Sequence, residues 1–239
     1  MIDKIKFQKS GFLIGSFLLA GVLSCSRKAD DYQKYQNGRE QIYTGVVSNL
    51  RTDPGKLRAR IKWNPSSDPS ISRYLLFWNN GNDSLEIGTK GESTADTISV
   101  IITSGLQESD IQSFSLYTYD KAGNHSIGQL TAPLRIYGSI YEASLYNKQL
   151  VTANPYKIYP VNNSITFYFT KSDTTNIFNQ LYYYTKNDAV DSIRFTGDSV
   201  NVSNLKTGTR VAIQSYFLPV RNALDTFRTR RADSTIIIN

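Results

Sequence analysis

The chain has 239 residues, of which 40% are hydrophobic, 20% charged and 12% aromatic, with a formal net charge of +7. That is a globular composition, long enough for one large domain or two of ordinary module size. One Cys, one His and one Met exclude an internal disulfide framework and a zinc site built from Cys and His ligands.

Residues 1–24 read as an export signal. Lys4, Lys6 and Lys9 form a basic start, and a 13-residue apolar run extends from Gly11 to Leu23. A helix of that length is too short to cross a bilayer, which needs about 20 residues. The run ends in Val22-Leu23-Ser24-Cys25, which resembles a bacterial lipobox. The resemblance implies lipid attachment at Cys25, cleavage before it and anchoring in the cell envelope, expected at the outer membrane. Cleavage removes three Lys and one Asp, which takes the charge of +7 down by two. Residues 25–42 are polar and aperiodic and read as a tether. No cofactor is expected. The expected partners are the membrane, through Cys25, and a glycan or an envelope protein, without nucleic acid.

From residue 43 the pattern is β. Arg58-Ala59-Arg60-Ile61-Lys62-Trp63 alternates strictly, with Ala59, Ile61 and Trp63 on one face and a basic row on the other. Such a row reads as solvent-facing protection of the strand. Turn clusters follow at residues 64–69, 79–83 and 120–124, with apolar segments at 74–78, 84–87, 97–102 and 114–119 between them. Short strands at this spacing predict an all-β sandwich. No helix is predicted beyond a single turn at Tyr141–Leu145.

Trp63, Tyr74, Leu106 and the segment Phe114–Gly123 resemble a fibronectin type III module. The family's E–F corner usually runs Leu, Pro two residues on and Tyr six on; Glu108 and Gln112 hold the last two places here. Residues 164–170, 180–185, 191–194, 205–211, 211–219 and 225–230 repeat the plan. The reading is therefore two tandem fibronectin type III/immunoglobulin-like sandwiches, at 43–138 and 139–239. The Tyr119–Asn124 turn and Leu218-Pro219…Asp225-Thr226-Phe227 also resemble an uncharacterised family of surface lipoproteins from glycan-degrading Gram-negative bacteria. That resemblance implies no established activity.

Little in the chain points to catalysis. His125 sits in a turn and reads as a surface residue. The acids Asp68, Asp83, Asp110 and Asp188 lie in turns without the apolar surroundings that raise a carboxyl pKa. Asn79–Asp83 lacks the first and twelfth ligands of a calcium loop and reads as a hairpin turn. The expectation is a non-enzymatic binding or scaffolding protein, an accessory of glycan capture. The alternatives are a structural spacer or adhesin and, more distantly, a carboxylate glycosidase. On alternation, Leu75, Phe77, Tyr117 and Tyr119 face outward from neighbouring strands and form the candidate ligand or partner face.

Overall fold

The computed structural model describes residues 42–108 and 110–238. The signal segment 1–24, Cys25 and the tether as far as residue 41 lie outside the described residues. Tyr43–Asn239 forms one compact unit.

The N-terminal part contains β1 (Ser48–Pro54), β2 (Ala59–Asn64), β3 (Ile71–Trp78), β4 (Asp83–Gly88), β5 (Ile98–Ile102), β6 (Ile111–Gln112), β7 (Ser115–Asp120), β8 (Gln129–Leu130) and β9 (Leu134–Arg135). One sheet has the order β1-β2-β5 and the other β4-β3-β7-β8, with β6 and β9 paired separately. These are the A-B-E and C′-C-F-G sheets of a fibronectin type III-like sandwich. Strand alternation sends Ala59, Ile61 and Trp63 inward from β2, and Tyr74, Leu76 and Trp78 inward from β3; all six are buried. Phe114, Leu116 and Ile136 complete this core, with the Trp63 and Tyr74 rings edge-to-face at 5.3 Å. Fully burying side chains of this size stabilises by about 1.5–3 kcal/mol each. The β3–β4 connection is a hairpin turn in which Asn79 and Asn80 take positive φ, a conformation Asn tolerates better than most residues.

The basic row on β2 is not free. Asp53, on the adjacent β1, is buried and pairs with Arg60 at 2.7 Å and Lys62 at 2.6 Å, while Arg58 pairs with Asp225. Burial pushes the Asp53 carboxyl up, but bonds from Lys62, Asn222 and Arg60 outweigh it and leave its pKa lowered. The row is thus consumed within the fold, because the neighbouring strand and a distant loop each bring a carboxylate to it.

The C-terminal part begins with a short helix, α1 (Ser139–Ala143), and continues with β10 (Tyr156–Tyr159), β11 (Ser164–Tyr168), β12 (Asn176–Tyr184), β13 (Val190–Phe195), β14 (Ser199–Ser203), β15 (Thr209–Phe217), β16 (Phe227–Arg228) and β17 (Ala232–Ile238). The sheets are β10-β11-β14 and β13-β12-β15, with both β16 and β17 pairing β15. A second core gathers Phe167, Leu181, Val202, Val211, Ile213 and Ile238. Two expectations change. The last strand is not one run at 225–230 but β16 and β17, interrupted where Thr229 bonds to Ser215 through its hydroxyl. The single turn expected at 141–145 is a helix that starts earlier, at Ser139. Glu108 caps it from 32 and 33 residues away, accepting the Ile140 N–H at 2.7 Å and the Tyr141 N–H at 2.6 Å. Gly138 leaves room for this cap, since a Cβ there would lie 2.6 Å from a Glu108 carboxylate oxygen and displace it.

The two sandwiches share a hydroxyl clamp between a strand, β7 or β15, and the irregular segment that returns beside it. The Thr118 N–H donates to Ser126 Oγ at 3.1 Å, and the Ser126 N–H returns to the Thr118 carbonyl at 3.1 Å. In the second sandwich the Ser215 N–H donates to Thr229 Oγ1 at 2.8 Å, and the Thr229 N–H returns to the Ser215 carbonyl at 3.0 Å. Each clamp satisfies buried backbone groups where the ladder is irregular.

Between the cores lies a dense joint. Asp225 accepts Arg58 Nε at 2.9 Å, Arg58 Nη2 at 2.5 Å and the Lys56 N–H at 2.7 Å. Asn222 donates to Asp53 at 3.0 Å, and the Leu224 N–H donates to the Pro54 carbonyl at 2.7 Å. Lys56 pairs with Glu142 at 2.6 Å. Phe227, fully buried, packs against Tyr141 at 5.0 Å and Tyr137 at 6.0 Å.

Candidate ligand face

β3 and β7 are the two interior strands of the β4-β3-β7-β8 sheet, so every second side chain on them faces away from the core. Leu75 is directly opposite Tyr117, Phe77 opposite Ser115 and Arg73 opposite Tyr119. Leu75, Phe77, Tyr117 and Tyr119 are all half-buried on this outward side. The Phe77 and Tyr117 rings meet edge-to-face at 5.8 Å. Tyr119 lies between the His125 ring at 5.3 Å and the Arg73 guanidinium at 5.0 Å. Arg73 in turn faces Glu86 at 3.6 Å.

Phe77, Tyr117 and Tyr119 line an open cleft of about 660 Å³ together with Trp78, Ile111 and Leu130. Leu75 shares the face but does not line the cleft. Ile111 and Leu130 are strongly exposed, at 73% and 67%, and with the rings they line one cleft as a contiguous apolar patch. They escaped the sequence reading because each lies on a two-residue strand, too short for an alternating pattern. The cleft wall depends on Gly128, where a Cβ would come within 2.5 Å of the Tyr117 ring.

His125 is not a freely solvated turn residue. It is half-buried, bridges in backbone register to Tyr119, and sets its ring against Tyr117 at 6.0 Å as well as Tyr119. Its Nδ1 lies 2.8 Å from the Ser126 carbonyl oxygen. The neighbouring turn is closed by Asp120, which accepts the Asn124 N–H at 2.8 Å and its side-chain amide at 2.7 Å. Those bonds, the Asn124 side chain foremost, hold the Asp120 carboxyl below its ordinary value.

The face offers aromatic edges, aliphatic surface and one paired cation, which suit stacking and apolar contact. A general acid needs a carboxyl pKa raised toward neutrality. Asp53, Asp68, Asp120, Glu142, Asp173 and Asp225 all shift the other way. Among the described residues, no group of three or more His, Cys, Asp or Glu side chains is arranged to hold a metal ion. No described helix is long and apolar enough to cross a membrane.

No curated protein matches the chain. Solved structures that resemble it include the FN1–FN3 domains of chicken CNTN1, at 15% identity and a TM-score of 0.38 over 84% of this chain and 69% of that one. A two-domain fibronectin type III segment of chicken tenascin is 13% identical, with a TM-score of 0.30 over 80% and 98%. A bacterial ice-binding adhesin described for host cell surface retention is 11% identical, with a TM-score of 0.40 over 84% and 66%. Residues 25–227 match DUF4998, a domain of unknown function, and the chain belongs to that family.

Proposed function

We propose that the protein is a lipid-anchored, non-enzymatic component of the cell envelope that binds a glycan or an envelope partner on the outward face of β3 and β7. One observation carries this reading: Phe77, Tyr117 and Tyr119 gather around an open cleft whose rim, Ile111 and Leu130, is apolar and exposed. Aromatic rings in an open cleft are common anchors for sugar rings and protein partners. Anchoring through Cys25 is supported by the lipobox-like residues 22–25, and the envelope is where such a lipid would hold the domain.

The test is a glycan array and a panel of envelope proteins probed with residues 26–239. The double variant Phe77→Ser with Tyr119→Ser should lose retention and keep its fold by circular dichroism. A ligand retained equally by both forms would remove this face from consideration.

A second reading, a spacer with no small ligand, is favoured by the joint. Arg58, Asp225, Lys56, Glu142 and Phe227 tie the two sandwiches through several independent contacts. A chain that retains nothing on either panel would support the spacer.

A further inference from the structure

In the N-terminal sandwich Lys56, Arg58, Arg60, Lys62 and Arg73 each face a carboxylate. Two arginines of the second sandwich are held differently. Arg194 lies over the Phe178 ring at 3.6 Å and Arg231 over the Tyr182 ring at 4.2 Å. Among the described residues, neither has a carboxylate within ion-pair distance, and both are exposed.

Alternation along β12 sends Phe178, Gln180, Tyr182 and Tyr184 to the outward face. Their cross-strand neighbours are Tyr216, Gln214 and Ala212 on β15, and Arg194, Ser192 and Val190 on β13. Phe178 and Tyr216 stack at 4.2 Å, nearly parallel. The hydroxyls of Tyr182 and Tyr216 both donate to Gln214 Oε1, at 3.2 and 3.1 Å. Gln214 is itself fixed by donating to the Thr229 carbonyl at 2.8 Å, and Gln180 donates to Ser192 Oγ at 2.9 Å. The rings are therefore held in place, and each stacked guanidinium is oriented by its ring with its N–H edges still available. That is the arrangement in which Arg presents a paired donor edge to an oxyanion.

Arg228 adds positive charge opposite Tyr216, although Glu142 lies near it. Asp233, opposite Ala212, is the acid on this face. The Asp191 carboxylate is engaged by the Tyr183 hydroxyl at 3.0 Å. β12 is hydrogen-bonded on both sides, so a partner cannot add as a strand and must be read by side chains alone. Phe178 to Tyr184 spans roughly 20 Å; along it stand Phe178, Gln180, Tyr182 and Tyr184, with a guanidinium over the first and third of them. An extended ligand carrying repeated anions and repeated hydroxyls matches this pattern.

We propose that the outward face of β12 and its neighbours, centred on Arg194, Arg231, Phe178, Tyr182 and Tyr216, binds an acidic polysaccharide through its carboxylate or sulfate groups. The face is distinct from the cleft on β3 and β7 and rests on different observations.

The experiment is affinity electrophoresis of the full chain in detergent, through gels containing polygalacturonate, dextran sulfate or neutral dextran. Retardation is expected in at least one charged gel and not in neutral dextran; the two charged gels distinguish carboxylate from sulfate. Arg194→Gln with Arg231→Gln should weaken binding about tenfold or more, since two charge-assisted contacts are lost. Lys90→Gln with Lys121→Gln removes the same charge from exposed turns and should stay within about twofold of wild type. The Phe77→Ser/Tyr119→Ser variant should bind as wild type does, so failure here and failure of the cleft are separable. Absence of retardation in both charged gels would overturn the proposal. So would equal loss in the two double variants, or equal binding to neutral dextran or to single-stranded DNA. Circular dichroism on each variant confirms that the fold is retained.

Discussion

Replacing Phe227 by Ala should weaken the whole described unit, not one strand. Phe227 is fully buried, and its ring joins β16 to Tyr137 and Tyr141 in the segment between the two cores. Truncating a buried Phe costs about 3–5 kcal/mol. For a folded unit of roughly 200 residues, each kcal/mol lowers Tm by about 2–4 °C, so a loss of about 6–20 °C is expected. The joint also couples the two sandwiches, so the wild type should melt in one transition and the variant in two, separated by calorimetry. A single sharp transition within about 3 °C of wild type would refute the argument, because it would mean that the aromatic trio neither stabilises nor couples the sandwiches.

The electrostatic half of the joint should respond to acid. Burial pushes the Asp225 carboxyl up, yet the Arg58 pair and the Lys56 N–H outweigh it, so its folded pKa lies below the ordinary 3.8. A lowered folded pKa means that the contribution is fully present above the unfolded value and is lost as pH falls through the folded one. Asp225→Asn should therefore destabilise by about 1–2 kcal/mol at pH 7, discounted for the partly exposed Arg58. In urea unfolding the gap from wild type should close below about pH 4; a gap that widens on acidification would contradict the assignment. Cys25→Ala should leave an uncleaved, unlipidated precursor, and mature mass with detergent-phase partitioning in that variant would refute the lipobox reading. The double variants on β3/β7 and on the β12 face complete the set, each judged by ligand retention with the fold intact.

Alternation is a local property, and what depends on it was legible in the sequence. Ala59, Ile61 and Trp63, like Tyr74, Leu76 and Trp78, point inward because successive strand side chains take opposite sides whatever packs on them. The same rule puts Leu75, Phe77, Tyr117 and Tyr119 outward. The turn at Asp120–Asn124 closes on its own side chains, within four residues. The tertiary structure decided whatever needed a distant partner. Glu108 sits where the family pattern usually has Pro, and its role appears only once α1 arrives beside it. The basic row of β2 reads as solvent-facing until Asp53 and Asp225 reach it, the latter from 167 residues away. Ile111 and Leu130 lie on two-residue strands without any period, and only folding sets them on the rim of one cleft. Arg194 and Arg231 are ordinary exposed cations in the sequence. They become a candidate binding face because β13 and the segment after β16 carry them onto rings of β12, and a contact between separate strands leaves no periodic trace in either one.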